Sequence, residues 1–192
     1  MSFANKIIVA ISGASGAIYA ISLLKALKKL KVETHLVVSK AGGLTISEET
    51  DYTIKEVKSL ADYNYNVDDI GAAISSGSFK TMGMVVVPCS VKTMSEIACG
   101  VTSNLVSRAA DVQLKERRKL VLMVRETPFH LGHLRNMVQL TEMGAIISPP
   151  LPAFYPRPEN IDDLINHSVG RLLDLFDLDS DLVKRWKGLG GC

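Results

Sequence analysis

Ile7-Ile8-Val9-Ala10-Ile11-Ser12-Gly13-Ala14-Ser15-Gly16-Ala17 is the stretch whose reading decides the fold. Five apolar residues in a row have the length and composition of a strand buried on both faces, and the small, polar run that stops them has the composition of a turn. Beyond Ala17, Ile18, Ile21, Leu24 and Leu27 recur at helical spacing and leave Lys25, Lys28 and Lys29 solvated, so an amphipathic helix follows. Working outward, further short apolar runs repeat the theme. His35-Leu36-Val37-Val38 breaks at Ser39-Lys40, and Met84-Val85-Val86-Val87 is stopped by Pro88. Leu120-Val121-Leu122-Met123-Val124 ends at Arg125-Glu126, and Ala145-Ile146-Ile147 enters the proline-rich stretch from Pro149 to Pro158. Helices are expected over 94–116, with an interruption near Gly100, over 130–143 and over 161–176. Strands alternating with helices predict an α/β architecture: one Rossmann-like (flavodoxin-like) domain over 1–192, its parallel sheet covered by helices on both faces, with the segment from about 177 as an arm or lid.

Composition narrows the function classes. A chain of 192 residues, 47% hydrophobic and 22% charged, forms one core and carries no disorder signature. A net charge of +2, from 22 basic and 20 acidic residues, does not suit a general nucleic-acid binder. Cys89, Cys99 and Cys192 show neither C-x-x-C pairing nor metal-ligand spacing, which argues against a disulfide framework and a zinc site. The apolar run at 7–11 is too short to span a bilayer, and its Ser12-Gly13 exit is unlike a secretory leader. No membrane partner is expected, and the cytoplasm is the default location.

Each polar cluster follows the carboxyl end of a strand, the edge at which open α/β sheets collect ligands. The loop Gly13-Ala14-Ser15-Gly16-Ala17 lets backbone approach a ligand and opens a helix whose N–H groups favour an anion; a tight turn without a ligand has the same composition. It is neither G-x-G-x-x-G nor a Walker loop. In Pro88-Cys89-Ser90-Val91-Lys92-Thr93, the hydroxyls of Ser90 and Thr93 suit a phosphate or a flavin edge, or helix capping, or both. Arg108 and Lys115 are seven apart, about two turns along one helix face, a spacing that suits a phosphate or a solvated face. Glu48, Glu49 and Glu126 are the acids to watch, Glu126 at a strand end where a carboxyl can be held for proton transfer. His130 and His133, at i,i+3 without a third ligand, read as packing or capping rather than a metal site. Tyr155 follows a stiff proline segment, Arg171 lies on the last helix, and Trp186 can cover an apolar ligand or the core.

Taken together, the motifs resemble the UbiX-type flavin prenyltransferases over nearly the whole chain. The resemblance runs through Gly-Ala-Ser-Gly-Ala at 13–17, Ser39-Lys40, Glu49-Thr50-Asp51, Pro-Cys-Ser at 88–90, Thr93 and Arg108-Ala109-Ala110-Asp111. It continues in Leu114-Lys115-Glu116-Arg117-Arg118, Arg125-Glu126-Thr127-Pro128, Pro152-Ala153-Phe154-Tyr155 and Arg185-Trp186. It implies a transferase that moves a dimethylallyl group from dimethylallyl phosphate to N5 and C6 of reduced FMN, for use by a UbiD-type decarboxylase. It assigns Gly13, Ala14, Ser15, Ser39, Ser90, Val91, Lys92, Thr93 and Arg125 to FMN, and Arg108, Lys115, Arg125, Tyr155 and Arg171 to the allylic phosphate, partly across subunit boundaries. Ser15, Glu49 and Glu126 match positions linked to proton handling, and Trp186 an aromatic lid. A homo-oligomer is implied, trimer-based and up to a dodecamer. Neither Asp68-Asp69 nor Asp162-Asp163 belongs to a D-D-x-x-D motif, which suits a monophosphate donor held by side-chain cations. Two alternatives stand beside this reading: an FMN-dependent decarboxylase related to the cysteine decarboxylases, whose Pro-x-Met-Asn signature is missing here, and a non-catalytic FMN carrier.

Overall fold

The computed structural model describes residues 5–183 together with Arg185, Trp186 and Gly188; Cys192 lies outside them. The strands are β1 (Lys6–Ile11), β2 (Glu33–Val38), β3 (Tyr63–Tyr65), β4 (Gly83–Cys89), β5 (Lys119–Val124) and β6 (Ile146–Ile147). The helices are α1 (Ala17–Lys29), α2 (Lys40–Glu49), α3 (Ile54–Ser59), α4 (Val91–Ala98), α5 (Leu105–Lys115), α6 (Leu131–Glu142) and α7 (Ile161–Asp174). All strand pairs are parallel, in the order β3-β2-β1-β4-β5-β6. This is the Rossmann order, in which the chain reverses direction across the sheet between β1 and β4 and leaves a crevice at their carboxyl ends.

The unbroken apolar run of β1 follows from burial on both faces. Ile7, Val9 and Ile11 join a core with α1 and α7, whereas Ile8 and Ala10 point into a second core with α4, α5 and α6. The helix expected over 94–116 is two helices, parted at Gly100, whose φ of +68° is cheap only for glycine. Asn104 then caps α5 by accepting from the N–H groups of Val106 and Ser107.

Three elements lie where no element was expected, α2, α3 and β3. Helix α2 contains Gly42 and Gly43 and buries only those two and Ile46, so it has almost no apolar stripe to read. Its glycines serve packing instead: a Cβ on Gly42 would sit 2.5 Å from the carbonyl oxygen of Ile11. Helix α3 did carry a readable signal, the capping box of Thr53 and Glu56. Strand β3 is three residues long at the sheet edge. Among the described residues no helix is long and apolar enough to cross a membrane.

On β2, His35 is buried, its Nε2 2.9 Å from Glu33 Oε1 and its Nδ1 2.9 Å from the Tyr65 hydroxyl, with Tyr63 stacked on its ring. Burial pushes its pKa below the ordinary 6.5, and Glu33 opposes that shift without offsetting it. The unfolded chain therefore takes up a proton that the folded chain resists, and His35 lowers stability as the pH falls below about 6.5. His35→Gln, which cannot titrate, should show a shallower loss of urea midpoint between about pH 7.5 and 5.5 than the parent chain. Equal slopes would remove His35 as the source.

Candidate functional site

At the crevice the exits of β1 and β4 are tied by one buried side chain. The Ser12 hydroxyl donates to the Pro88 carbonyl at 2.9 Å and accepts from the Ser90 N–H at 2.8 Å, while the Ser12 N–H donates to the same carbonyl at 3.2 Å. Helices α1, α2 and α4 begin on this edge beside the tie. Gly16 precedes α1 with a φ of +109°, in the left-handed region. Ser39 caps α2 by accepting from the Gly42 N–H at 2.9 Å. Ser90 caps α4, accepting from the Thr93 N–H at 3.3 Å and donating to the Thr93 hydroxyl at 3.1 Å. Gly13 is pressed against α2, since a Cβ there would lie 2.4 Å from that of Ala41.

Glu49, at the end of α2, reaches back to the start of α1. Its Oε2 accepts from the Gly16 N–H at 2.7 Å and from the Ala17 N–H at 3.2 Å. The helix N-terminus that the sequence offers to a ligand anion therefore already holds a carboxylate of the chain itself. Burial works against the ionised form, but the Gly16 N–H, the Ser15 hydroxyl, the Ala17 N–H and the charge of Arg125 together hold the carboxyl below its usual range. The Ser15 hydroxyl and the more distant Arg125 charge thus both favour the ionised Glu49, while its hydrogen bonds are to the Gly16 and Ala17 N–H groups. Arg125 leaves β5 with its N–H on the Cys89 carbonyl at 3.1 Å, and its charge also acts on the Tyr19 phenol, whose pKa burial raises. A carboxylate kept charged near a hydroxyl has the chemistry of a proton acceptor.

The remaining candidates divide by location. Glu126 is half-buried at the end of β5, with one oxygen accepting from the Thr127 N–H at 2.9 Å. Val91 and Lys92 supply the first turn of α4, where N–H groups have no partner within the helix; the Lys92 ammonium turns away to Glu96 at 2.8 Å. Arg108 pairs with Asp111 at 2.9 Å, and Lys115 pairs with Glu116 at the far end of α5, beside Gly77. Helix α5 runs back toward the amino edge of the sheet, where β5 begins, and a seven-residue strand such as β4 spans about 20 Å. Within one chain, Lys115 is therefore at the edge opposite Gly13, Ala14 and Ser15. Arg118 is structural, its guanidinium donating to the carbonyls of Phe79 and Gly77.

Tyr155, Arg171 and Trp186 form a separate cluster around α7. The Tyr155 hydroxyl is 2.9 Å from His167 Nε2, the Trp186 ring stands edge-on to Tyr155 at 5.7 Å, and Arg171 and Arg185 both pair with Asp174. His130 caps α6 through Nδ1, which accepts from the Gly132 N–H, and its ring lies 3.6 Å from that of His133. Burial pushes the Cys89 thiol far above its ordinary range, which leaves it inert, and Cys99 is exposed. Sequence reading passed over Ser12 as a site residue, although a lone hydroxyl directly after a wholly apolar strand was its signal. It also passed over His167 and Asp174, which only the folded helix brings to Tyr155 and Arg171.

Fold and crevice define a class: a doubly wound α/β protein that takes a ligand at its topological switch point. The sequence model of the family described as Flavoprotein matches residues 2–172. A curated flavin prenyltransferase UbiX of Thauera aromatica is 58% identical over 183 residues, 95% of this chain and 94% of the relative. A crystal structure of a UbiX protein in complex with FMN and dimethylallyl pyrophosphate matches with a TM-score of 0.95 at 55% identity, covering 96% of this chain and 98% of that one. A dodecameric FMN-dependent UbiX-like decarboxylase from Escherichia coli O157:H7 matches with a TM-score of 0.93 at 51% identity, covering 96% and 100%. The chain belongs to the UbiX flavin prenyltransferases of the Flavoprotein family.

The Ser12 stitch has a measurable consequence. Ser12→Ala leaves the partly buried Ser90 N–H without its acceptor and should lower unfolding stability by about 1 kcal/mol. An unchanged denaturation midpoint would show that the crevice does not depend on it.

Proposed function

We propose that the chain transfers a dimethylallyl group from dimethylallyl phosphate to reduced FMN. The observation that carries this is a Glu49 carboxylate held ionised on the Gly16 and Ala17 N–H groups at the switch-point crevice of a chain from this family. The donor set suits FMN: small residues at Gly13 and Ala14, serine caps at Ser39 and Ser90, the Thr93 hydroxyl, and the first turn of α4 from Val91 and Lys92. Because Glu49 fills the N-terminus of α1, the N-termini of α2 and α4 remain for the flavin phosphate, with Arg125 beside them. Bound in reduced form, FMN supplies an electron-rich acceptor for the alkyl group.

The chain's own residues do the rest. Cleavage of the allylic carbon–oxygen bond sends its electron pair onto a leaving phosphate, and fixed cations lower that barrier. Arg108, Lys115, Arg125, Tyr155 and Arg171 take that role. Since α5 carries Lys115 away from the chain's own crevice, a neighbouring copy supplies part of the set, in a homo-oligomer built on trimers and extending to a dodecamer. Glu49, held ionised near the Ser15 hydroxyl, receives a proton, and Glu126 is the second carboxyl for proton transfer. Trp186 and the Pro149–Pro158 segment keep water from the allyl fragment. The prenylated product passes to a UbiD-type decarboxylase.

Incubation with reduced FMN and dimethylallyl phosphate should raise the flavin mass by one C5H8 unit, and dimethylallyl diphosphate serves as the comparison donor. An unchanged mass with both donors would overturn the assignment. Glu126→Gln should retain FMN and slow product formation at least about tenfold. Arg108→Ala should retain FMN yet lose turnover, whereas a flavin carrier would be indifferent to that change.

A further inference from the structure

Tyr155 arrives on a segment that has no ladder to fix it. Among the described residues, the backbone between Pro149 and Pro158 makes only local turns, Leu151 to Pro149 and Arg157 to Phe154, and Tyr155 is 48% exposed. What holds the phenol comes from α7. His167 is 9% exposed, and its ring meets Tyr155 edge-on at 5.5 Å with Nε2 2.9 Å from the hydroxyl oxygen. The imidazole is thus the anchored member of the pair. Spacings of four and three residues put His167, Arg171 and Asp174 on one face of α7, so the helix that presents Arg171 also positions the phenol. Burial and the charge of Arg171 push the His167 pKa down against the pull of Asp174, which leaves a neutral ring with one N–H.

A phenol has one proton to give. If it gave that proton to His167 it would have none for an anion, whereas an Nε2–H that donates to the phenol oxygen leaves the phenol proton free. An anion, which can only accept, favours this second arrangement, a chain of donors that polarise one another. We propose that His167 is a positioning residue, donating from Nε2–H to the Tyr155 oxygen and turning the phenol proton toward the phosphate of the allylic substrate. The inference rests on the reading that Tyr155 contacts that phosphate, and it adds a residue to which no role in the reaction was given.

The test uses the full chain in its native assembly, with reduced FMN and dimethylallyl phosphate. His167→Phe keeps the ring and removes the donor; it should lower kcat/KM for the allylic phosphate about tenfold, the value of one hydrogen bond to a charged group, and leave FMN affinity and thermal midpoint unchanged. His167→Gln, whose amide N–H falls near the place of Nε2–H, should restore the rate to within about threefold. Tyr155→Phe should match His167→Phe, and the double variant should be no slower than Tyr155→Phe alone. Where His167→Phe does not fold, His167→Asn, too short to reach the phenol, gives the same comparison. A His167→Phe chain as fast as the parent, or a Gln variant as slow as Phe, overturns the inference while leaving the transferase reading intact. A Tyr155→Phe chain with parental kcat/KM overturns both the role of Tyr155 and that of His167. A parent chain that transfers no C5H8 unit overturns the function itself and this inference with it.

Discussion

Beyond a switch point the loops that leave two neighbouring strands diverge, and a side chain has to reinforce the last backbone bond between the strand exits, here Ser12 N–H to Pro88. In this fold the Ser12 hydroxyl does so, bonding to Pro88 and Ser90 from a fully buried position. A hydroxyl suits the place because it donates and accepts at once, whereas an apolar residue would leave the Ser90 N–H orphaned. The geometry of the whole edge follows from that tie. Ser90 is set to cap α4, Gly13 is set against Ala41 of α2, and the Gly13–Gly16 loop opens α1. The crevice is therefore built into the sheet rather than assembled from loose loops.

Glu49 divides the anion sites that such an edge offers. Parallel strands feeding helices produce one positive helix end after another, and a ligand phosphate could settle at any of them. With a carboxylate already on the Gly16 and Ala17 N–H groups, the start of α1 repels a second anion. The same bonds keep that carboxylate charged beside Ser15 and Arg125. One side chain thus closes the start of α1 to a second anion and, under the proposed function, is also the base that receives a proton.

The parts of the fold legible in the sequence were those written in hydrophobic periodicity. The run from Ile7 to Ile11 and the faces of α1 and α7 show in residue pattern alone because burial dictates them. Helix α2 did not show, because it lies on the end of β1 through Gly42 and on Gly13 of the following loop through Ala41, and a helix that packs through small residues has no apolar stripe. Helix α3 was announced by Thr53 and Glu56, a signal that was passed over. The flavin-side candidates were legible as polar clusters after strands. The contacts of Glu49 and Tyr155 were not, since each depends on a partner that only the fold brings near, the start of α1 and His167, whereas the i,i+3 pair of Arg171 and Asp174 was open to helical spacing.

The course of α5 has a consequence for the genetics of the assembly. It begins at the crevice edge and ends with Lys115 at the opposite one, so a site that uses both the Gly13–Ser15 loop and Lys115 draws them from different subunits. Damage to one copy then falls on its neighbour's crevice. Two defective versions, one lacking Ser15 and the other lacking Lys115, would on co-expression form some intact sites and complement each other. A single faulty allele beside a sound one would poison a share of the mixed oligomers and behave as partly dominant.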